Sequence, residues 1–296
     1  MIEVNDLHKS FGNIKALDGI SFIAKDCKVT GVIGPDGAGK TTLCRILSCV
    51  MSSDSGDCFI DSLSCSQQAE KVKRIIGYMP RDYGLYPDLT VSENMDFYAD
   101  LFGIYGKEKK ERKEKILSAV RMDKFQNRRS GLLSGGMKQK LQLSCSLIHS
   151  PKYLILDEPS YGVDPVSRRD FWKLVDDISK NTTIIVSTSY MDESEHFDDM
   201  IILNKGIIVK NGTPEEIIKS VPYKMYRIKS DRLIEFSKKT EHLYKNMNLY
   251  GDKMHVVFDE KFSIESLKTD EFVDYNIEIE EITPSMEDAF IYFTTK

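Results

Sequence analysis

Val29-Thr30-Gly31-Val32-Ile33-Gly34-Pro35-Asp36-Gly37-Ala38-Gly39-Lys40-Thr41-Thr42 is the stretch that decides the fold of this chain. It begins as a short apolar run ending in Gly34, the pattern of a buried strand that feeds a glycine-rich turn. From Gly34 through Pro35, Asp36, Gly37, Ala38, Gly39 and Lys40 to Thr41 it matches G-x4-G-K-[ST]. The glycines let the backbone curl so that several N–H groups point inward at a phosphate. Thr41 to Cys49 follows with Leu43, Ile46 and Leu47 at helical spacing. A helix starting there adds its positive dipole end to the same anion site. In this reading Lys40 reaches the β- and γ-phosphates, the Thr41 hydroxyl ligates Mg²⁺ and Thr42 touches the α-phosphate. A glycine-rich turn without a ligand is the bland alternative, and the strand before it and helix after it weigh against that.

A second chemical cluster lies downstream. Leu154-Ile155-Leu156-Asp157-Glu158 is an apolar strand ending in two carboxylates. Beside a phosphate cradle, Asp157 would hold Mg²⁺. Glu158 would orient or deprotonate the water that attacks the γ-phosphate. Leu133-Ser134-Gly135-Gly136-Met137 opens an amphipathic helix carrying Leu141, Leu143 and Leu147. Ser134, Gly135 and Gly136 at that N-terminus make either a plain cap or a second phosphate-binding point. Their place between the cradle and the carboxylate strand favours the second.

Outward from these motifs the strands continue. Ile2-Glu3-Val4 and Gly19 to Phe22 read as strands around a turn at Phe11-Gly12-Asn13, and Tyr153–Leu156, Thr183–Ser187 and Met200–Leu203 as buried strands. Strands alternating with helices indicate a parallel sheet covered on both faces. The texture from about residue 70 to 147 is helical. Val91 to Phe102 is amphipathic, with Ser92 as a candidate cap. The charge run Lys107 to Lys115 reads as a solvated helix face. After Pro222 the texture changes. The order expected is a strand at 224–229, a helix at 231–246, a hairpin at 247–258, a short helix at 263–268, a strand at 276–282, and a last helix at 284–294 opened by Pro284. That βαββαβ order is ferredoxin-like.

The chain of 296 residues, 41% apolar and 29% charged, has the composition of a soluble globular protein. A net charge of -5 gives no overall basic field for nucleic acid. No run approaches the length of a membrane-spanning helix, and the first residues lack the pattern of a signal peptide. The six cysteines form no C-x2-C pair and are expected as reduced thiols; the five histidines give no ligand spacing. Asn204-Lys205-Gly206-Ile207 lacks the acid of a guanine-reading N-K-x-D.

With these motifs in order, residues 1 to about 220 resemble an ABC-family nucleotide-binding domain. The resemblance implies an α/β P-loop NTPase fold: a mixed sheet core with a helical subdomain at about 82–147, plus a small C-terminal α+β domain at 221–296 with an accessory or regulatory role. It implies ATP and Mg²⁺ as cofactors and two domains closing head to tail. Each ATP would then lie between one subunit's P-loop and the other's Ser134-Gly135-Gly136. Phe11 falls where the family stacks an aromatic on adenine, and Asp164 follows in the loop after Pro159. Finer motifs narrow the likeness to ABC-2-type exporter ATPases of multidrug efflux systems, whose ATPases can carry two fused halves. They include Gly84-Leu85-Tyr86-Pro87-Asp88-Leu89-Thr90-Val91, Gly162-Val163-Asp164-Pro165 and the ending Thr283 to Ile291. This chain is similar to the N-terminal half. The partners implied are integral-membrane permease subunits, received by Arg81 to Asp88, and a second nucleotide-binding domain. The implied location is the cytoplasmic side of the membrane.

Three positions depart from the family. Arg81 stands where glutamine is usual, Ser189 where histidine is usual and Met137 where the signature has glutamine. Arginine cannot accept a hydrogen bond or ligate a cation, though it can pair with a phosphate or carboxylate. Serine is a shorter organiser than histidine. The expectation is an ATPase with Lys40, Glu158 and Ser189 in catalytic positions and turnover slower than usual. The alternative is a catalytically weak regulatory subunit paired with a second ATPase chain.

Overall fold

The computed structural model describes residues 1–258, 267 and 270–295. They divide into two compact units, Met1–Pro214 and Glu215–Lys296. The first begins with β1 (Ile2–Phe11), β2 (Ile14–Ala24), β3 (Val29–Ile33), α1 (Lys40–Leu47), β4 (Ser55–Ile60), β5 (Leu63–Ser64), α2 (Ala69–Ile75) and β6 (Ile76–Met79). A helical stretch follows: α3 (Val91–Leu101), α4 (Gly106–Ala119) and α5 (Gly135–Leu147). The chain returns through β7 (Tyr153–Asp157), α6 (Pro165–Ser179), β8 (Thr183–Thr188) and β9 (Asp199–Asn204) to β10 (Ile207–Gly212), and α7 (Pro214–Lys219) runs across the boundary into the second unit.

Two sheets share this unit. One runs β10-β9-β3-β8-β7-β6 and the other β2-β1-β4-β5. In the first, β3, β6, β7, β8 and β9 pair in parallel, and only β10 joins antiparallel. Every residue of β3, β7 and β8 is buried, which explains their unbroken apolar texture. The strand–helix alternation shows as the parallel part of this sheet, and the antiparallel β10 and the separate antiparallel sheet make the whole a mixed-sheet core, as expected. The turn at Lys205-Gly206 sends the chain straight back, leaving no length for a crossover helix. α1 contributes Leu43, Cys44, Ile46 and Leu47 to a core shared with β1, β2, β4 and β7, so the helix that follows the cradle is fixed by packing.

Val91, Met95 and Ala99 of α3, Leu117 of α4 and Leu141 and Cys145 of α5 form a separate core. α3 is capped by Thr90, not Ser92. The Thr90 hydroxyl accepts from Glu93 N, and Glu93 Oε2 accepts from Thr90 N. A capping box needs an acid at the third position, which Thr90 has and Ser92 lacks. The charge run lies on α4 as an exposed face stitched by Lys107–Glu111, Arg112–Glu108 and Lys110–Glu114 pairs.

The second unit contains β11 (Met225–Lys229), α8 (Leu233–Thr240), β12 (Tyr244–Tyr250), β13 (Lys253–Phe258), β14 (Glu278–Ile282) and α9 (Met286–Thr294). Its sheet is antiparallel in the order β12-β13-β11-β14. That order splits a βαβ unit by inserting β13 between its strands, as a ferredoxin-like arrangement requires. Two local expectations are corrected. The helix expected to reach Asn246 ends at Thr240, because ladder pairing with β13 begins at Tyr244. Pro284 does not open the last helix. Ser285 caps it, its hydroxyl accepting from Asp288 N. The short helix expected at 263–268 lies outside the described residues except for Leu267.

Candidate functional site

β3 delivers the chain into the glycine-rich turn, and the turn is held from outside. Gly206 N donates to Ala38 O at 3.0 Å, and Ala38 N to Pro35 O at 3.1 Å. Gly39 lies at φ +109°, and a Cβ there would stand 2.3 Å from Ala16 O. Both facts require glycine. A Cβ at Gly34 would meet Leu203 O at 2.3 Å. The cradle is therefore shaped by backbone pressed between β2 and β9.

Beside it is an open cleft of about 540 Å³ lined by Phe11, Ile14, Ala16, residues 36–42, Arg81 and Glu158. Phe11, at the end of β1, is 49% exposed, with Lys9 Nζ 5.8 Å over its ring, and its exposed aromatic surface suits stacking on a flat ligand. Ile14 and Ala16 were not singled out in the sequence. Their signal was the Phe11-Gly12-Asn13 turn, which folds the next strand back beside the cradle.

At the far end of the cleft, charges converge from the start of α1 and from strand ends. Lys40 and Glu158, 4% and 5% exposed, pair at 3.2 Å. Lys40 Nζ also donates to Gly34 O at 2.7 Å, Pro35 O at 3.2 Å and Ser189 Oγ at 2.9 Å. Ser189 in turn donates to Glu158 Oε1 at 3.1 Å. Glu158 sits at φ +47°, a conformation that costs a non-glycine residue roughly 1 kcal/mol. Its N–H is tied to Ser187 O at 3.0 Å, which holds the turn.

Asp157 ends β7 on the other side. Its Oδ1 accepts from Ser187 Oγ at 2.7 Å and from Thr41 Oγ1 at 3.1 Å. Its Oδ2 is buried without a hydrogen-bond partner. Burial pushes this carboxyl above its ordinary value, against the pull of those two hydroxyls. A buried acceptor with no donor beside a threonine hydroxyl suits a hard cation bound through oxygen, so Mg²⁺ fits this pair.

The remaining candidates stand elsewhere. Ser134, Gly135 and Gly136 are not in the lining of the cleft. Ser134 caps α5, its Oγ accepting from Met137 N at 3.4 Å. A Cβ at Gly136 would stand 2.6 Å from Ser167 Oγ, so the glycine serves helix packing as well. Met137 packs against the helical core. Asp164 caps α6. Backbone N–H groups of Ser167 and Val166 reach its Oδ1 at 2.9 and 3.1 Å and hold the carboxyl below its usual range. Arg81, which follows β6, lies 3.5 Å from Glu158 Oε2 through Nε, with its guanidinium 4.2 Å over the Tyr161 ring. Nothing in the sequence marked Tyr161.

No helix among the described residues is long and apolar enough to cross a membrane. Residues 17–161 match the family described as ABC transporter. The chain is 35% identical over 302 residues to the probable multidrug ABC transporter ATP-binding protein YbhF of Escherichia coli (strain K12), covering 98% of this chain and 51% of that protein. It thus spans about half the length of that relative. It is 32% identical over 219 residues to the linearmycin resistance ATP-binding protein LnrL of Bacillus subtilis (strain 168), covering 73% of this chain and 70% of that protein. Among solved structures, an ATP binding subunit of an ABC transporter aligns at TM-score 0.67 and 26% identity, over 74% of this chain and 92% of that one. A dimeric ATP-binding cassette in a post-hydrolysis state with ADP and Pi shares the fold, at TM-score 0.67 and 22% identity over 72% of this chain and 98% of that one. The motifs, the fold and these likenesses agree: the chain belongs to the ATP-binding proteins of the ABC transporter family.

Proposed function

We propose that this chain binds and hydrolyses ATP to power an ABC exporter of drugs or other small lipophilic molecules, bound at the cytoplasmic side of its membrane subunits. The observation that carries the reading is the convergence of Lys40, Glu158 and Ser189 at one end of the cradle, with Thr41 and Asp157 beside them. Its YbhF and LnrL relatives, whose names speak of multidrug transport and linearmycin resistance, support the exporter assignment.

In the working site Gly34 to Gly39 receive the phosphates with backbone N–H groups, and Lys40 exchanges its carbonyl and carboxylate partners for the terminal phosphates. Thr42 lies beside the α-phosphate, and Phe11 stacks on the adenine. Thr41 and Asp157 hold Mg²⁺, which when bound neutralises charge on the phosphates. Glu158 accepts a proton from water as the water oxygen bonds to the γ-phosphorus. The bond from that phosphorus to the bridging oxygen breaks, leaving ADP and phosphate. Ser189 keeps Glu158 oriented. Ser134, Gly135, Gly136 and Asp164, outside this cleft, serve the ATP of a second nucleotide-binding domain closing head to tail. Residues 221–296 form an accessory unit to that motor.

A second reading is a slow regulatory subunit paired with a more active ATPase chain. Arg81 and Ser189 in place of the usual glutamine and histidine favour it. Steady-state Mg-ATP hydrolysis by the purified chain, beside Glu158→Gln and Ser189→His, separates the two. Turnover lost in Glu158→Gln supports the motor reading. ATP binding with no turnover, partly restored in Ser189→His, supports the regulatory one. Absence of ATP binding overturns both.

A further inference from the structure

We infer that Arg81 is a positioning residue that restrains Glu158, competing with the attacking water for Glu158 Oε2 while the Tyr161 ring holds its guanidinium in place. This deepens the reading above and rests on it.

The geometry divides the two carboxylate oxygens of Glu158. Oε1 is occupied by the Ser189 hydroxyl at 3.1 Å and by Lys40 Nζ at 3.2 Å. Oε2 is the oxygen left to receive a proton from water, and Arg81 Nε stands 3.5 Å from it. Glu158 is 5% exposed, so water screens this pair poorly from its side. The guanidinium is not a freely swinging charge. It lies 4.2 Å over the Tyr161 ring, a contact that orients a planar cation.

Tyr161 is itself placed by the turn that carries the base. Its N–H donates to Glu158 O at 3.1 Å, and the neighbouring Ser160 hydroxyl donates to the buried Glu193 carboxylate. Base, ring and cation are therefore joined through one turn. When ATP draws Lys40 onto its phosphates, Oε1 loses a partner but Arg81 still faces Oε2. An arginine has no acceptor with which to orient a water in return. The restraint acts on the proton-transfer step more than on nucleotide binding.

The test compares Arg81→Met, Arg81→Gln and Tyr161→Leu with the unaltered chain in ATP-binding titrations and steady-state Mg-ATP hydrolysis. Methionine keeps an apolar stem against the ring while removing the charge and supplying no amide to bind water or metal. The expected result is a rise in kcat of about three- to tenfold for Arg81→Met. KM for ATP should stay within about twofold, because the pair acts on the chemical step. Tyr161→Leu should give a smaller rise. Adding Glu158→Gln to Arg81→Met should abolish the gain, as a route through Glu158 requires. A kcat unchanged or lowered in Arg81→Met overturns the inference, as does ATP binding with no turnover in any variant. A gain in Arg81→Gln alone also overturns it, since the lost amide and not the restraint would then be the cause. Failure of the unaltered chain to bind ATP overturns the functional reading, and this inference with it.

Discussion

At the phosphate end of the cleft, position is set by backbone; at the sensor end, it is set by side chains. The cradle is a single continuous segment whose curvature is forced by Gly34 and Gly39 against Leu203 O and Ala16 O. The sensor end is assembled from residues that leave three neighbouring strands: Arg81 after β6, Glu158 after β7 and Ser189 after β8. A backbone site tolerates change at its x positions and none at its glycines. A side-chain site keeps its shape when one member changes and alters its chemistry. Arg81 and Ser189, two of the three positions expected to depart from the family pattern, both contact Glu158 at the second end.

The largest effect that separates the ends is expected from Glu158→Gln. Glutamine keeps the size of the side chain and can still accept from Ser189, but it cannot take a proton. Turnover should fall by about 10²- to 10⁴-fold while ATP binding persists. Single-turnover hydrolysis beside equilibrium binding checks it. Retained turnover would place the base elsewhere and dissolve the distinction between the two ends.

Gly39→Ala attacks the other end. The added methyl meets Ala16 O, and φ +109° is hostile to any L side chain. Strain of about 1–3 kcal/mol is expected. It should appear as a ten- to hundredfold loss of ATP affinity, since the cradle must distort. Unchanged affinity would show that the phosphate end is not backbone-limited.

Ser189→His sharpens the sensor end. An imidazole reaches farther than a hydroxyl and can contact the γ-phosphate directly, where serine now bridges Lys40 and Glu158. One added hydrogen bond in the transition state is worth about 0.5–1.5 kcal/mol, a rise in kcat of about two- to tenfold. A fall in kcat would mean that the serine bridge, and not its shortness, is what the site uses.

The same division explains what the sequence disclosed. The cradle was legible because turn, strand and helix lie within one short segment and obey local rules. Asp157 and Glu158 were legible as an acid-ended strand once the cradle was known. The pairing of Arg81 with Glu158 and Tyr161 was not, because strand order brings those residues together. Local misreadings had the same origin. Ser92 and Thr90 are both fair caps in isolation, and the position of Glu93 decided between them. Residues 244–246 read as helix until β13 claimed them as ladder partners.

The smallest effect on turnover is expected in the second unit, far in kind from either end of the cleft. Asp288 is fully buried at the start of α9. Burial alone would raise its carboxyl. The Ser285 hydroxyl and N–H at 2.7 and 2.9 Å, with His255 Nδ1 at 3.0 Å, outweigh it and hold the group below the ordinary 3.8. The folded state therefore binds this proton less readily than the unfolded one. The stability it contributes is present above about pH 4 and is lost as pH falls through the depressed folded value. Asp288→Asn should cost about 1–3 kcal/mol at pH 7, and the difference should shrink on acidification below pH 4. Denaturant unfolding of the whole chain at both pH values measures it. A cost that does not change with pH would assign Asp288 to capping and packing alone. ATP turnover should stay near that of the unaltered chain, since Tyr250, His255 and Ser285, which hydrogen-bond to Asp288, do not line the cleft. A large loss of turnover would instead show that the second unit governs the first, and the contrast between the two ends of the cleft would have to be redrawn to include it.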